Sequence, residues 1–546
     1  MRHVTGLQRE RAGMEVLLTA AEAYPAFERA VLAAQSEVWG SFRIFDLRTR
    51  LRSPEARAIG ETWFDLVAHS LARGVRWRMV ISDFDPVARP ALHRGTWASV
   101  RRFWAAAEVA GEAADLRVTA AMHSAVTGLI PRLVFWPQIA LALRSTARWL
   151  NDQGEGPRRA IVRDMPGLRD WLRSLRDGRV APRLRGIPTL YPATHHQKLA
   201  VIDRQRLYIG GLDLDERRWD TPEHDRPGAE TWHDLQLMLE GPVVAEAQAH
   251  LETFLDVVAG RAEPLPPRRL LRTLSRRRSG LVAGFGPQEL LTEILQAHEM
   301  LAARARRLIY LETQFFRDAG LARSLARLGR EKPDLACLLI LPAAPEEVAF
   351  GGAMGLDTRF GEYLQARALR ILLGGFGPRL FVGGAAQPRR APRSGDGQDA
   401  AGPEGWDGPG DQSGDRESGV EGRGLLRGAP LVYIHAKVSI FDDVGAIVSS
   451  ANLNGRSLRW DTEAGVLLDR PSDVRALRER VMRHWLPDEA DERLLDPSLA
   501  VPLWRRLALA NARVAPERRR GFILPYDLKA AERFGQSLPG VPEAMV

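Results

Sequence analysis

Cysteine occurs once in this chain of 546 residues, at Cys337, and lysine only four times. A single thiol excludes an intramolecular disulfide and a cysteine-based metal cluster, and its place in the apolar run 335–341 reads as a buried structural side chain. No basic start followed by an unbroken apolar stretch opens the chain, because Arg9, Arg11, Glu15 and Glu22 interrupt residues 1–27. No secretory signal is therefore visible, and the expected location is cytoplasmic. A membrane span is also missing: the most apolar stretch, 129–143, is broken by Pro131, Arg132 and Pro137 well short of the ~18 residues a bilayer needs. Its segment Leu133, Val134, Phe135 and Trp136 fits core packing or, alternatively, contact with a lipid surface by a peripheral protein.

What the chain does have is arginine, which supplies 73 of its 77 basic residues and most of a formal charge of +9. That balance suits an anionic partner, a phospholipid surface or a nucleic acid, but it speaks to association and not to chemistry. The length exceeds the roughly 250–300 residues at which one core stops growing, so two domains are expected. From residue 23 onward, helical and strand-like patterns alternate: an amphipathic stretch near 27–34, a strand at 38–45, a helix at 60–72 and a strand at 76–81. This order reads as α/β. At 264–280 it gives way to Pro-Leu-Pro-Pro and six arginines without an acid, which reads as an interdomain linker. The pattern then restarts with a helix at 289–305, a strand at 308–312, a helix at 321–328 and a strand at 335–341. The expected organisation is an N-terminal repeat over 1–263, the linker, and a C-terminal repeat over 281–546. A Gly-, Pro-, Asp-, Arg- and Ser-rich stretch, 383–430, is expected to be a disordered insertion in the second repeat.

The chemistry is written twice. His196-Gln197-Lys198 is followed by Asp203, and His435-Ala436-Lys437 by Asp442, where chance predicts about 0.09 His-x-Lys triplets from 12 histidines and four lysines. Two of four lysines stand at the same place in two motifs, so an ammonium is required there. A compact charge on a flexible stem reaches a phosphoryl oxygen in a crowded site that a planar guanidinium does not fit. Each motif opens an apolar run that reads as a strand, in which residues i and i+2 share a face about 6.6 Å apart, so His and Lys can reach one phosphate. Asp203 and Asp442, the third members of the motifs, fall at the strand ends and are expected to order the turns. Small residues and a polar side chain follow a second strand in each half, Gly210-Gly211-Leu212-Asp213 and Ser449-Ser450-Ala451-Asn452. An imidazole at a phosphoryl centre needs an orienting carboxylate. Asp234, downstream of His196, and Glu463, downstream of His435, occupy matching places. No metal-ligand cluster is apparent, and His224 and His233 carry no assigned chemistry.

These motifs resemble those of the phospholipase D superfamily, and the words around them resemble its plant and animal phospholipases. The resemblance includes 210–214, Arg218-Trp219-Asp220-Thr221-Pro222-Glu223-His224, Trp232-His233-Asp234, 239–242, 309–316 and 450–457. Thr313 and Ser449 depart from the family's usual asparagine and glycine. The resemblance implies two tandem repeats, each a mixed β-sheet flanked by helices, packed as a pseudo-twofold pair with one active site at their interface. It also implies a phosphodiesterase; no cofactor is expected, since no metal-ligand cluster is apparent in the sequence. His196 would form a phosphohistidine while protonated His435 serves the leaving alcohol, so one imidazole starts neutral and the other charged. Lys198, Lys437 and Asn452, with Asp213 less clearly, would hold the phosphate oxygens. The implied substrate is a phospholipid at a membrane surface, with water or a small alcohol as acceptor. A cardiolipin synthase-type phosphatidyltransferase and a nuclease of the same superfamily are the alternatives, the nuclease ranking lower because the extended matches are to lipid-acting members. A monomer is compatible with all three.

Overall fold

The computed structural model describes residues 13–266, 268–278, 284–350, 355–391 and 423–545. It is an α/β protein built on two large mixed sheets, whose strands are numbered here in chain order. The first sheet contains β1 (Met14–Leu18), β2 (Glu37–Phe42), β3 (Arg76–Ser82), β4 (Leu116–Ala121), β5 (Leu199–Ile202), β6 (Arg206–Gly210) and β7 (Leu235–Glu240). The second contains β8 (Leu270–Arg276), β9 (Gln288–Thr292), β10 (Leu308–Thr313), β11 (Ala336–Ile340), β12 (Leu380–Ala385), β13 (Lys437–Phe441), β14 (Gly445–Ser449), β15 (Glu463–Leu468) and β16 (Ile523–Pro525).

The strand orders are β1-β7-β6-β5-β2-β3-β4 and β9-β8-β15-β14-β13-β10-β11-β12-β16. Within both lies the same six-strand unit, in which three antiparallel strands adjoin three parallel ones. Ser41 pairs with Leu199 and Thr313 with Lys437 at the antiparallel junction of the unit. Parallel neighbours need long crossovers. Helix Trp63–Ala72 supplies one, opened by a reciprocal cap between Thr62 and Asp65 and followed by Gly74 at φ +83°.

Strand β5 is apolar throughout and β13 carries Lys437 and Ser439 among apolar residues; both are buried along their whole length, as strands covered on both faces must be. Leu199, Val201, Ile209 and Leu237 of the first sheet share one hydrophobic core with Tyr310, Ile340, Val438 and Val448 of the second. Helices Pro242–Val258, Pro471–His484 and Ala500–Asn511 contribute to that core. Separate cores cover the opposite faces: Phe27, Trp63 and Phe103 on the first sheet, and Leu325, Leu369 and Phe376 with the buried Cys337 on the second. Burial pushes the Cys337 thiol up to about 12, which leaves it inert.

Three elements depart from the sequence expectations. The segment expected as a linker contains β8, which hydrogen-bonds to β15 and β9 inside the second sheet. Its arginines hide the strand: Leu270, Leu271 and Leu274 are buried, and buried Arg272 is matched by Glu293 at 2.9 Å. The first turn of the helix expected at 289–305 is instead β9, and the helix begins at Glu293. At the ends of the stretch expected to be disordered, Gly383–Ala385 lie in β12, and Leu425–Leu426 pair with Ala429–Pro430 in a hairpin. Its middle, 392–422, lies outside the described residues.

Candidate active site

His196 and His435 sit just ahead of β5 and β13, where two short parallel pairings cross between the halves. His195 pairs with Thr462, and His233 with Ile434. The His196 amide donates to the Thr462 carbonyl at 2.8 Å, and the His435 amide to the His233 carbonyl at 2.7 Å. Each pairing therefore sets a motif histidine beside the carboxylate that opens a strand of the other half. Nδ1 of His196 lies 3.1 Å from Glu463 Oε2, and Nδ1 of His435 lies 2.6 Å from Asp234 Oδ2. This corrects the pairing suggested by chain order, in which Asp234 followed His196 and Glu463 followed His435. The carboxylates are exchanged between the halves because the crossing segments, and not the turns within each half, bring the partners together.

Both carboxylates are fully buried and held by their neighbours. The Leu235 amide donates to Asp234 at 2.9 Å, and the Ser450 hydroxyl donates to Glu463. A Cβ on Gly211 would stand 2.1 Å from Asp234 Oδ1, so glycine there is the condition for the carboxylate's position. Burial raises the Asp234 carboxyl to about 6 and raises Glu463 as well. It pulls both imidazoles well below their ordinary range, assisted most by Lys198 at His196 and by Lys437 at His435. Burial and the neighbouring ammonium groups thus favour the neutral form of both rings. With Nδ1–H directed at a carboxylate, each neutral ring keeps its Nε2 lone pair for a ligand.

Lys198 and Lys437 are buried beside them. Lys198 Nζ donates to the His196 carbonyl at 2.6 Å and lies 3.8 Å from Asp213 Oδ2. Lys437 Nζ contacts the His435 carbonyl and its Nδ1, and burial lowers the ammonium to about 7 despite Asp234. Asp213 also accepts the Ile44 amide at 2.8 Å. Its counterpart Asn452 donates to Gln314 at 3.2 Å, while its buried Oδ1 has no partner among the described residues.

Asp203 and Asp442 are not among these groups. They occupy the β5–β6 and β13–β14 turns at φ +51° and +50°, at the opposite ends of their strands from the histidines. Asp203 accepts amides of Gln35, Ser36 and Glu37 at 2.8–3.0 Å, and Asp442 accepts Arg306 and Leu308 at 2.6 Å. Each fastens a turn to the start of the adjacent central strand. Counting them with the catalytic residues is corrected accordingly, and the turn-ordering expectation describes what their carboxylates touch. His195 is buried, 2.8 Å from the Thr462 hydroxyl, and belongs to the crossing segment.

Two arginines escaped the sequence reading. Arg218 is buried, with its guanidinium 3.6 Å from the centre of the Trp232 ring, which in turn stands 4.5 Å from the His435 ring. Its side chain donates no hydrogen bond to any described residue, although its place in the word 218–224 was a signal. Arg43 follows β2 where Gln314 follows β10, and lies 5.4 Å over the Phe84 ring. Nothing local in the sequence marks it. Both line a cavity of about 550 Å³ with Phe84, Trp149, Arg217 and Glu346.

No family model matches the chain. Among curated proteins it is 24% identical over 408 residues to phospholipase D beta 2 of Arabidopsis thaliana, covering 54% of this chain and 42% of that protein. It is 22% identical over 371 residues to phospholipase D alpha 1 of Vigna unguiculata, covering 48% of this chain and 44% of that one. These similarities support the phospholipase D superfamily for this chain. It spans less than half the length of these phospholipase D relatives. Against the crystal structure of phosphatidylserine synthase from Haemophilus influenzae Rd KW20, the TM-score is 0.43 at 13% identity, with 91% of this chain and 93% of that one covered. Of the two departures from the phospholipase D wording, the Thr313 hydroxyl donates to the Phe315 carbonyl at 3.1 Å, and the Ser449 hydroxyl accepts the Ala451 amide at 3.2 Å.

Proposed function

We propose that the chain cleaves the distal phosphodiester of a glycerophospholipid to phosphatidic acid and an alcohol, through a phosphohistidine. The observation that carries this reading is the reciprocal pairing of each motif histidine with a buried carboxylate of the other half. It supports treating the halves as a pseudo-twofold pair around one active site, the first half holding the sheet that ends at Glu240 and the second half beginning with β8 at Leu270.

Nε2 of His196 attacks phosphorus, the bond from phosphorus to the head-group oxygen breaks, and His435 delivers a proton to that oxygen. The incoming phosphodiester anion supplies the field that lets His435 take up its proton, and Asp234 stabilises the imidazolium. Water or another alcohol then gives a proton to His435, attacks the phosphohistidine and frees His196. Lys198, Lys437 and Asn452 stabilise the charge gathering on the non-bridging oxygens, which is the part of such catalysis that positioned charges supply. Asp213 limits the repulsion of the paired ammonium groups.

The test is incubation with phosphatidylcholine or phosphatidylserine vesicles, with and without ethanol, and separately with DNA. Phosphatidic acid, joined by phosphatidylethanol when ethanol is present, is the expected product; cleavage of DNA alone overturns the lipid reading. Labelled phosphate trapped on His435 and not on His196 reverses the assignment of nucleophile.

The pH dependence follows from the buried charges. Asp234 must be ionised to hold His435, so kcat/KM rises through about 6; Lys437 must be charged, so it falls above about 7. These limbs belong to the coupled cluster as a whole. Asp234→Asn is expected to remove the acid limb, and an unchanged limb contradicts the assignment.

A membrane surface is the proposed partner. Among the described residues no helix is long and apolar enough to cross a membrane. Helix Leu129–Val134 and its successor nevertheless expose Leu129, Ile130, Leu133, Val134 and Leu141 by 42–66%. Phe135 and Trp136 instead pack against a small core with Leu143 and Leu168. The patch begins six residues after His123, whose ring is 5.1 Å from that of His195. Leu133→Ser/Val134→Ser is expected to weaken flotation with anionic liposomes several-fold while leaving cleavage of a dispersed short-chain substrate unchanged. Equal flotation of both proteins counts against the patch.

A further inference from the structure

His224, His233 and His484 lie 9 and 251 residues apart in sequence, a spacing that gives no metal motif, yet their rings meet. One nitrogen of each lies within 4.8 Å of the other two, and His224 Nε2 is 3.0 Å from His484 Nε2. His224 and His233 are fully buried, while His484, at the end of helix Pro471–His484, keeps some exposure and offers a way in.

The outer nitrogens are already committed. His224 Nδ1 stands 2.6 Å from Asp220 Oδ2, and His233 Nε2 stands 2.6 Å from Glu312 Oε1. Those carboxylates are fixed in turn: Asp220 accepts the Trp232 amide at 2.7 Å, and Glu312 accepts the Tyr310 hydroxyl at 2.7 Å and the Trp485 indole N–H at 3.0 Å. Donation to a carboxylate sets the tautomer, leaving lone pairs on His224 Nε2 and His233 Nδ1. A hydrogen-bonded network alone accounts for the His224–His484 contact, but it leaves buried His233 Nδ1 without a partner among the described residues. A cation accounts for all three nitrogens.

We propose that His224 Nε2, His233 Nδ1 and His484 Nε2 bind a zinc ion. Three neutral imidazoles backed by carboxylates suit zinc, whereas magnesium and calcium seek oxygen ligands. Tetrahedral zinc at 2.0–2.1 Å from each nitrogen sets them ~3.3 Å apart, with water in the fourth position; the His224–His484 pair is at 3.0 Å, and the His233 nitrogen, within 4.8 Å of both, closes in on binding. The ion ties the 220–234 segment of the first half to a helix of the second. His233 precedes Asp234, and its carbonyl accepts the His435 and Ala436 amides at 2.7 and 3.1 Å. The ion's proposed role is thus to hold the two halves together, and the inference stands whatever reaction the two motifs perform.

The test uses the full chain, stripped with a chelator and then equilibrated with zinc. Elemental analysis after dialysis is expected to find one ion per chain, and at least tenfold weaker binding in His484→Gln and Asp220→Asn. Zinc is expected to raise the thermal midpoint of the parent chain by several degrees and leave that of His484→Gln in place. Cobalt titration of the unsubstituted chain needs no variant and is expected to give the visible bands of a tetrahedral site. A parent chain that holds no more zinc than His484→Gln, or that shows no tetrahedral cobalt spectrum, overturns the proposal.

Discussion

On the proposed mechanism, His196→Asn and His435→Asn are each expected to abolish lipid turnover, by a factor on the order of a millionfold where the assay reaches that far. The loss is this large because the two rings act in sequence on one phosphorus. Without His196 no covalent intermediate forms, and without His435 the alcohol leaves as an unprotonated alkoxide. What remains is charge stabilisation by Lys198 and Lys437, which both variants retain. The two failures are distinguishable in a rapid-quench experiment. His196→Asn shows no labelled protein at any time, whereas His435→Asn given a substrate with a good leaving group such as p-nitrophenol accumulates labelled His196, because that group departs without a proton. Turnover of either variant within tenfold of the parent removes the two-histidine mechanism.

The second large effect concerns the exchanged carboxylates. Glu463→Gln and Asp234→Asn each lower kcat by about 10³–10⁴-fold, the loss that follows when an imidazole is left in the wrong tautomer. Their signatures differ according to the partner each one holds. Glu463 faces His196, so Glu463→Gln slows formation of the labelled intermediate and moves the Nδ1 resonance of His196 while that of His435 stays in place. Asp234 faces His435, so Asp234→Asn slows breakdown of the intermediate more than its formation and moves the His435 resonance. If Glu463→Gln perturbs His435 and spares His196, the pairing between halves is wrong and chain order was the better guide.

That pairing marks the limit of what the sequence makes legible. The motifs were readable because their chemistry is local: histidine and lysine two positions apart at the entrance to a strand, in a chain that has almost no other lysine. The carboxylates were readable as candidates from their parallel placement. Which ring each one serves was not, since it depends on the contacts of His195 with Thr462 and of His233 with Ile434, both more than 200 residues apart. Strand β8 was lost for a different reason. Arginine is this chain's general-purpose cation, so a basic run looks solvated even where Arg272 is buried against Glu293. The three clustered histidines and Arg43 acquire their neighbours only through the tertiary fold, which no pattern within a window of one element can report.

The reciprocal contacts also act as an interlock. A half that has drifted from its partner carries an imidazole with no carboxylate at Nδ1, so neither the nucleophile nor the proton carrier is competent until both halves are seated. On the proposed mechanism, misassembled or partly unfolded molecules are expected to be silent and not slow, indiscriminate phosphodiesterases. The chain cannot hold a reactive histidine without also holding the group that completes its work.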